Sequence, residues 1–187
     1  MKVAMLGTGA IAPVALAAMN AAVGISVEAL WCRQHSRQRG ETLARDYGIP
    51  RVYTDCRALF READVDTAYI ALVNPVHFAY AREALLAGKN VILEKPFCTR
   101  WAQTRELADL ARGKGLFLLE AMPLWHGALF RKIRELVPAL GPIRLVQGNY
   151  SQYSSRYDRY RKGEVLPAFD PALAGGALYD LNVYNIA

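Results

Sequence analysis

The chain has 187 residues, 53% hydrophobic and 21% charged, a length for one domain or one plus part of a second, which excludes a large multidomain assembly and global disorder. Its net charge of +6 suits a phosphate-bearing cofactor, an anionic small molecule or nucleic acid without choosing among them. The cysteines, Cys32, Cys56 and Cys98, have no CxxC spacing, which argues against a disulfide framework or zinc knuckle and for a reducing, cytoplasmic setting.

In chain order, residues 2–6 read as a short apolar strand and residues 10–20 as a helix, with Pro13 early enough to be tolerated in its first turn. Residues 3–27 carry no charge, which raises a signal peptide or membrane span. Gly7, Gly9, Pro13, Asn20 and Gly24 interrupt the stretch, so no membrane association is expected. Residues 25–32 form a second apolar strand. Ser36 is placed to cap a helix that runs through Tyr47 and stops at Gly48, and Asp55 to cap another around Leu59 and Phe60. A strand over 67–73, a helix over 78–86 closed by Gly88, and a strand over 90–93 follow. Next come a helix over 100–112, with Thr99 as cap and Gly113 beyond its end, and a strand over 116–119. Near-continuous apolar strands separated by helices predict an α/β fold, a doubly wound parallel sheet of Rossmann type over residues 1–120.

Beyond that the texture changes. A helix around 129–137 leads into an extended segment, 143–153, that reads as a long strand, then a basic, tyrosine-rich loop and a final helix over 177–187. Residues 121–187 are therefore expected to hold the start of an α/β second domain, too little for an independent sheet.

Gly7, Thr8, Gly9, Ala10, Ile11 and Ala12 spell GxGxxA between the first strand and the first helix. Gly7 permits the tight turn, Gly9 lets backbone N–H groups approach a pyrophosphate, and Ala12 allows close helix packing, the context in which this motif points to a dinucleotide. The second strand ends at Trp31, Cys32 and Arg33, while Glu28 lies inside it. An acid at the tip would bind ribose hydroxyls. Arg33 and Arg37, with His35 nearby, instead offer guanidinium forks for a 2′-phosphate, so NADP is preferred over NAD. A solvated helix start is the alternative use of these arginines.

Further motifs follow in order: Asn74, Pro75, Val76, His77 (NxxH); Ala87, Gly88, Lys89, Asn90, Val91 (AGKxV); Glu94, Lys95, Pro96 (EKP); the pair Glu120, Ala121; and Gly175, Gly176, Ala177 leading to Asp180. Together with GxGxxA, this set resembles the glucose-fructose oxidoreductase, inositol dehydrogenase and rhizopine catabolism (Gfo/Idh/MocA) family over essentially the whole chain. The resemblance implies a Rossmann domain followed by an α/β domain whose open sheet often mediates oligomers. It also implies oxidation or reduction of carbonyl and hydroxyl groups, commonly on sugars, polyols and dihydrodiols, with NAD or NADP. Catalytic roles are implied for Lys95, Asp180 and Tyr184. The family's usual residue at the last position is His, and Tyr occurs in branches resembling glucose-fructose oxidoreductase and dihydrodiol dehydrogenase. Cofactor contacts are implied for Lys95, and for Asn74 and His77, where helix capping is an equal explanation. Glu94 either contacts the nicotinamide side or anchors the turn.

Hydride transfer from a carbinol requires removal of the hydroxyl proton by a group beside the reacting oxygen. Lys95 follows a buried strand at the edge where ligands bind in parallel sheets, and desolvation there lowers an amine's pKa. Asp180 and Tyr184 are four apart and share a face if their segment is helical. No metal site is expected, since His126 lacks an HxH or HExxH context. Arg156, Tyr157, Arg159, Tyr160, Arg161 and Lys162 interleave cations with rings. Without a recognition helix or RNA-binding fingerprint they read as a substrate-covering loop or subunit contact, not a nucleic-acid surface. The expected partners are a small-molecule substrate and further copies of the chain through the second domain. Family members run considerably longer, so the second domain is expected to be incomplete, leaving Leu178, Leu181, Val183 and Ile186 without a full sheet to cover them. Two functions stay open: an NADP-dependent oxidoreductase, and a dinucleotide-binding sensor or subunit without turnover.

Overall fold

Lys2–Leu6 (β1) places apolar side chains at four consecutive positions, and alternate ones leave opposite faces of an extended chain. In the computed structural model, which describes residues 1–186, Val3 and Met5 enter one core cluster and Ala4 and Leu6 the other. A strand buried on both faces belongs in the middle of a parallel sheet. The other strands are Ser26–Trp31 (β2), Val52–Tyr53 (β3), Thr67–Ile70 (β4), Asn90–Glu94 (β5) and Leu118–Ala121 (β6), and the sheet order is β3-β2-β1-β4-β5-β6. Ile11–Ala21 (α1) and Arg37–Tyr47 (α2) cover one face; Cys56–Glu62 (α3), His77–Leu86 (α4) and Trp101–Lys114 (α5) cover the other. This is the doubly wound Rossmann arrangement read from the alternation of strand and helix signals.

Register positions the site. Leu6 lies opposite both Trp31 and Ile70, and Ile70 opposite Leu93. The carboxyl ends of four strands are thereby level, and the loops that follow β1, β2, β4 and β5 leave from one edge. The order reverses at β1, whose neighbours β2 and β4 lead to opposite sides, and a crevice opens at such a switch point.

The chain divides into two compact units, residues 1–120 and from 121 onward. The uncharged stretch 3–27 resolves into β1, a turn, the 11-residue α1 and the start of β2, whereas a membrane helix needs about 20 residues. Among the described residues no helix is long and apolar enough to cross a membrane.

Several local expectations are corrected. Ser36 makes no side-chain cap bond and instead ends a 3-10 turn, Gln34–Ser36. Thr99 does not cap α5: Arg100 is the N-cap, and the Thr99 hydroxyl bonds Gln103 Oε1 at 3.3 Å. The helix also passes through Gly113 and stops at Gly115, which adopts φ 65°. There the Leu116 N–H reaches back to Ala111 O at 2.9 Å, a closure that pairs orphan carbonyls and follows with an apolar residue. Asp55 caps α3 as expected, accepting from the Arg57 N–H at 2.9 Å.

In the second unit, Ala128–Leu136 (α6) forms, but the long strand expected over 143–153 does not: the segment carries no ladder and every residue in it is exposed. A strand needs a neighbour for its N–H and C=O groups, and among the described residues of this unit beyond β6 there is none. After the short helix Tyr157–Arg161 (α7), the expected final helix is two pieces, Ala177–Asp180 (α8) and Val183–Ile186 (α9). The break falls at Asn182, whose N–H reaches Ala177 O at 2.7 Å, five residues back, and whose side chain accepts from Asn185 Nδ2 at 3.2 Å. Ala187 lies outside the described residues. Of the aliphatic residues expected to lack cover, Leu178 and Ile186 are exposed, and Leu181 and Val183 are partly buried.

Candidate active site

Gly7 is held at φ 116°, outside the range of residues with a Cβ, and an added Cβ would sit 2.3 Å from Ala71 O at the end of β4. The turn therefore fits tightly between β1 and β4, its N–H bonded to Trp31 O at 2.9 Å. Thr8 is buried, whereas Gly9, Ala10 and Ile11 are exposed at the mouth of the turn. A Cβ on Gly9 would meet no protein atom within 4 Å, so the fold does not demand glycine there; a ligand lying against the turn would. The start of α1 has neither a side-chain cap nor an acid in its first turn, which leaves its N–H dipoles directed at an anion. These features fit a pyrophosphate held by Gly7, Thr8, Gly9, Ala10 and Ile11.

Arg33 follows β2 at the same edge and is exposed. Arg37 is also exposed, but its Nε donates to Glu41 Oε1 at 2.8 Å, so an acid not weighed in the sequence reading shares its charge. Glu28 is partly buried within β2, away from the tip.

Asn74 opens a 3-10 turn, Asn74–Val76, and the N-cap residue of α4 is Val76, which makes no side-chain cap bond. His77 is fully enclosed. Its Nδ1 lies 3.0 Å from Pro96 O and its Nε2 3.0 Å from Leu72 O, so both ring nitrogens face internal carbonyls between the loops after β4 and β5, and the tautomer sets which carbonyl accepts the N–H. The expected direct contact by His77 is corrected to an internal tie.

Glu94 ends β5 and anchors the turn. Its Oε1 accepts from the Tyr69 hydroxyl at 2.5 Å and its Oε2 from the Lys95 N–H at 3.2 Å. Lys95 is partly buried, and the Lys95–Pro96 peptide is cis. The Phe97 N–H donates to Glu120 Oε1 at 3.0 Å. Burial raises the Glu120 carboxyl above its usual range; the Phe97 N–H opposes this and the nearby Glu94 charge adds to it. Burial also pushes the thiols of Cys56 and Cys98 up to about 12 and about 11, so neither offers a thiolate at neutral pH. The sequence did not single out Tyr69 or the anchoring use of Glu120; the general signal is that a buried phenol hydroxyl needs a partner.

In the second unit, Gly175 is packed so closely that a Cβ would lie 2.4 Å from Pro167 O. Asp180 Oδ2 lies 4.0 Å from Arg156 Nη1, and the Tyr184 ring stacks on Tyr150 with centroids 4.9 Å apart. The break after Asp180 puts it and Tyr184 on separate helices, so the two do not share a face of one helix as their spacing predicts.

A reversal point in a parallel sheet, a GxGxxA turn beneath it and a lysine loop on the same edge define a dinucleotide-binding domain of the oxidoreductase class. Residues 1–121 match the Gfo/Idh/MocA model, described as an oxidoreductase family with an NAD-binding Rossmann fold, and the chain belongs to that family. It is 34% identical over 151 residues to scyllo-inositol 2-dehydrogenase (NADP(+)) IolU of Bacillus subtilis, covering 81% of this chain and 46% of that protein. To the trans-1,2-dihydrobenzene-1,2-diol dehydrogenase of Oryctolagus cuniculus it is 35% identical, over 80% of this chain and 44% of the relative. Among solved structures, KijD10, a 3-ketoreductase from Actinomadura kijaniata in complex with NADP, superposes with a TM-score of 0.69 at 30% identity, over 74% of this chain and 44% of that one. The chain thus spans about half the length of the curated relatives it matches.

Proposed function

We propose that this chain carries the nucleotide-binding unit of an oxidoreductase that moves a hydride between NADP, or less favourably NAD, and a carbonyl or hydroxyl carbon of a small polyol, sugar or dihydrodiol. The observation that carries the reading is that the GxGxxA turn and the Lys95 loop leave the sheet from one edge. The substrate class is supported by relatives named for inositol and dihydrobenzenediol oxidation, and the cofactor by an NADP-dependent relative and an NADP complex. The same reading takes the protein as cytoplasmic and homo-oligomeric through its second unit; three free cysteines suit a reducing compartment.

A nicotinamide bound at this edge would supply reversible hydride exchange with the carbinol or carbonyl carbon. Residues 7–11 would hold its pyrophosphate and Arg33 its 2′-phosphate. Lys95 Nζ takes the hydroxyl proton as the C–O bond becomes a carbonyl, and gives it back in the reverse direction. Asn74 is assigned to the cofactor side, and Asp180 with Tyr184 to proton relay. Oxidation of NADPH over a panel of polyol-derived ketones, alongside fluorescence titration of the cofactor, tests the reading: turnover supports it, and binding without turnover returns the chain to a sensor or subunit role.

Arg33→Ala is expected to weaken NADP binding about tenfold while leaving NAD within about twofold, the worth of one charge-assisted phosphate contact. Equal losses for both cofactors would remove Arg33 from the discrimination. Tyr184→Phe is expected to lower turnover by about 10- to 100-fold at unchanged cofactor affinity, through loss of one proton-relay hydroxyl. Normal turnover would remove Tyr184 from the proton relay.

A further inference from the structure

Tyr69 stands opposite Ile92 in the β4–β5 register, so Glu94, two residues on, shares its face as the diagonal neighbour. That face packs Tyr69 against the cluster under α1 and α2, where a phenylalanine would serve the apolar contacts equally well. The hydroxyl is therefore the informative atom. Burial first, and the bond to Glu94 second, push the phenol up, so it stays a donor throughout the working pH range. It occupies Glu94 Oε1 and turns Oε2 toward the Lys95 N–H. Two residues further, Glu120 holds the Phe97 N–H, and between them His77 faces Pro96 O. The backbone on either side of Lys95 is thus gripped by carboxylates that reach it from β5 and β6.

We propose that Tyr69 is a positioning residue for Lys95, acting through Glu94: the phenol fixes one carboxylate oxygen so that the other fixes the Lys95 backbone. This rests on the catalytic reading of Lys95, so the test includes a measurement independent of turnover. In Tyr69→Phe, amide hydrogen exchange at Lys95 is expected to speed up about tenfold while that at Phe97, held separately by Glu120, stays within about threefold, the size expected for one lost hydrogen bond. Turnover should fall about five- to tenfold with cofactor affinity within about twofold. A cycle with Glu94→Gln separates action through Glu94 from independent action, since residues on one path give non-additive losses. Unchanged exchange at Lys95, equal acceleration at both amides, or fully multiplicative losses in the double variant would overturn the proposal. Selective acceleration at Lys95 in Tyr69→Phe, with no turnover even in the wild type, would instead retain the brace and reject the catalytic reading.

Discussion

Lys95→Ala is expected to lower turnover by about 10²- to 10⁴-fold, the usual contribution of a positioned acid or base, with NADP affinity changed by less than about threefold. The separation follows from the geometry: the glycine turn after β1 carries the phosphate-binding N–H groups, whereas Lys95 follows β5, two strands away in the sheet. Steady-state assays of NADPH oxidation, paired with cofactor titration, measure both quantities. Lys95→Arg is a useful companion, since it keeps the charge but gives up the compact, titratable amine and should remain nearly as slow. Wild-type turnover in Lys95→Ala would remove the residue from the chemistry altogether.

Gly7→Ala is expected to be the most damaging single methyl in the first unit. The new Cβ would enter at 2.3 Å from Ala71 O on a backbone with φ 116°, so β1 and β4 must separate or the turn must change conformation. Backbone strain and overpacking together cost about 3 to 5 kcal/mol, a loss of about 10 °C in melting temperature for a chain of this size. Cofactor binding should vanish with it, because the same turn presents the phosphate-binding groups. Thermal unfolding followed by circular dichroism reads the first effect and NADPH fluorescence the second; an unchanged melting temperature would show that the turn relaxes at no cost.

The first unit was legible because its signals were redundant. Apolar runs such as 3–6 announced buried strands, and Asp55 and Gly48 punctuated helices where the structure stops and starts them. Residues 52–53 were not legible: two residues carry no periodicity, and they become a strand only because Leu30 and Cys32 donate to Arg51 O and Tyr53 O. The segment 143–153 erred in the other direction. Its composition suits a strand, yet strand formation is a property of a pair, and local sequence is silent on whether a partner is within reach. At the site, Gly7 and Lys95 could be picked out by motif. Tyr69 could not, since its meaning depends on a register that brings Glu94 beside it, nor could the turning inward of His77, since an imidazole after a strand reads the same whether it faces a ligand or two carbonyls.

His77 carries a consequence of its own. A single enclosed ring sits between the chain beyond β4 and the chain beyond β5, so a shift of either segment meets it. Substitutions accumulating in either one meet a shared anchor, and natural variation in the pair should be correlated: a change in the path of residues 72–76 calls for a matching change around Pro96. Descendants of such a domain can alter what they recognise by rebuilding either segment only if this crosspiece is kept, or if both are remade together.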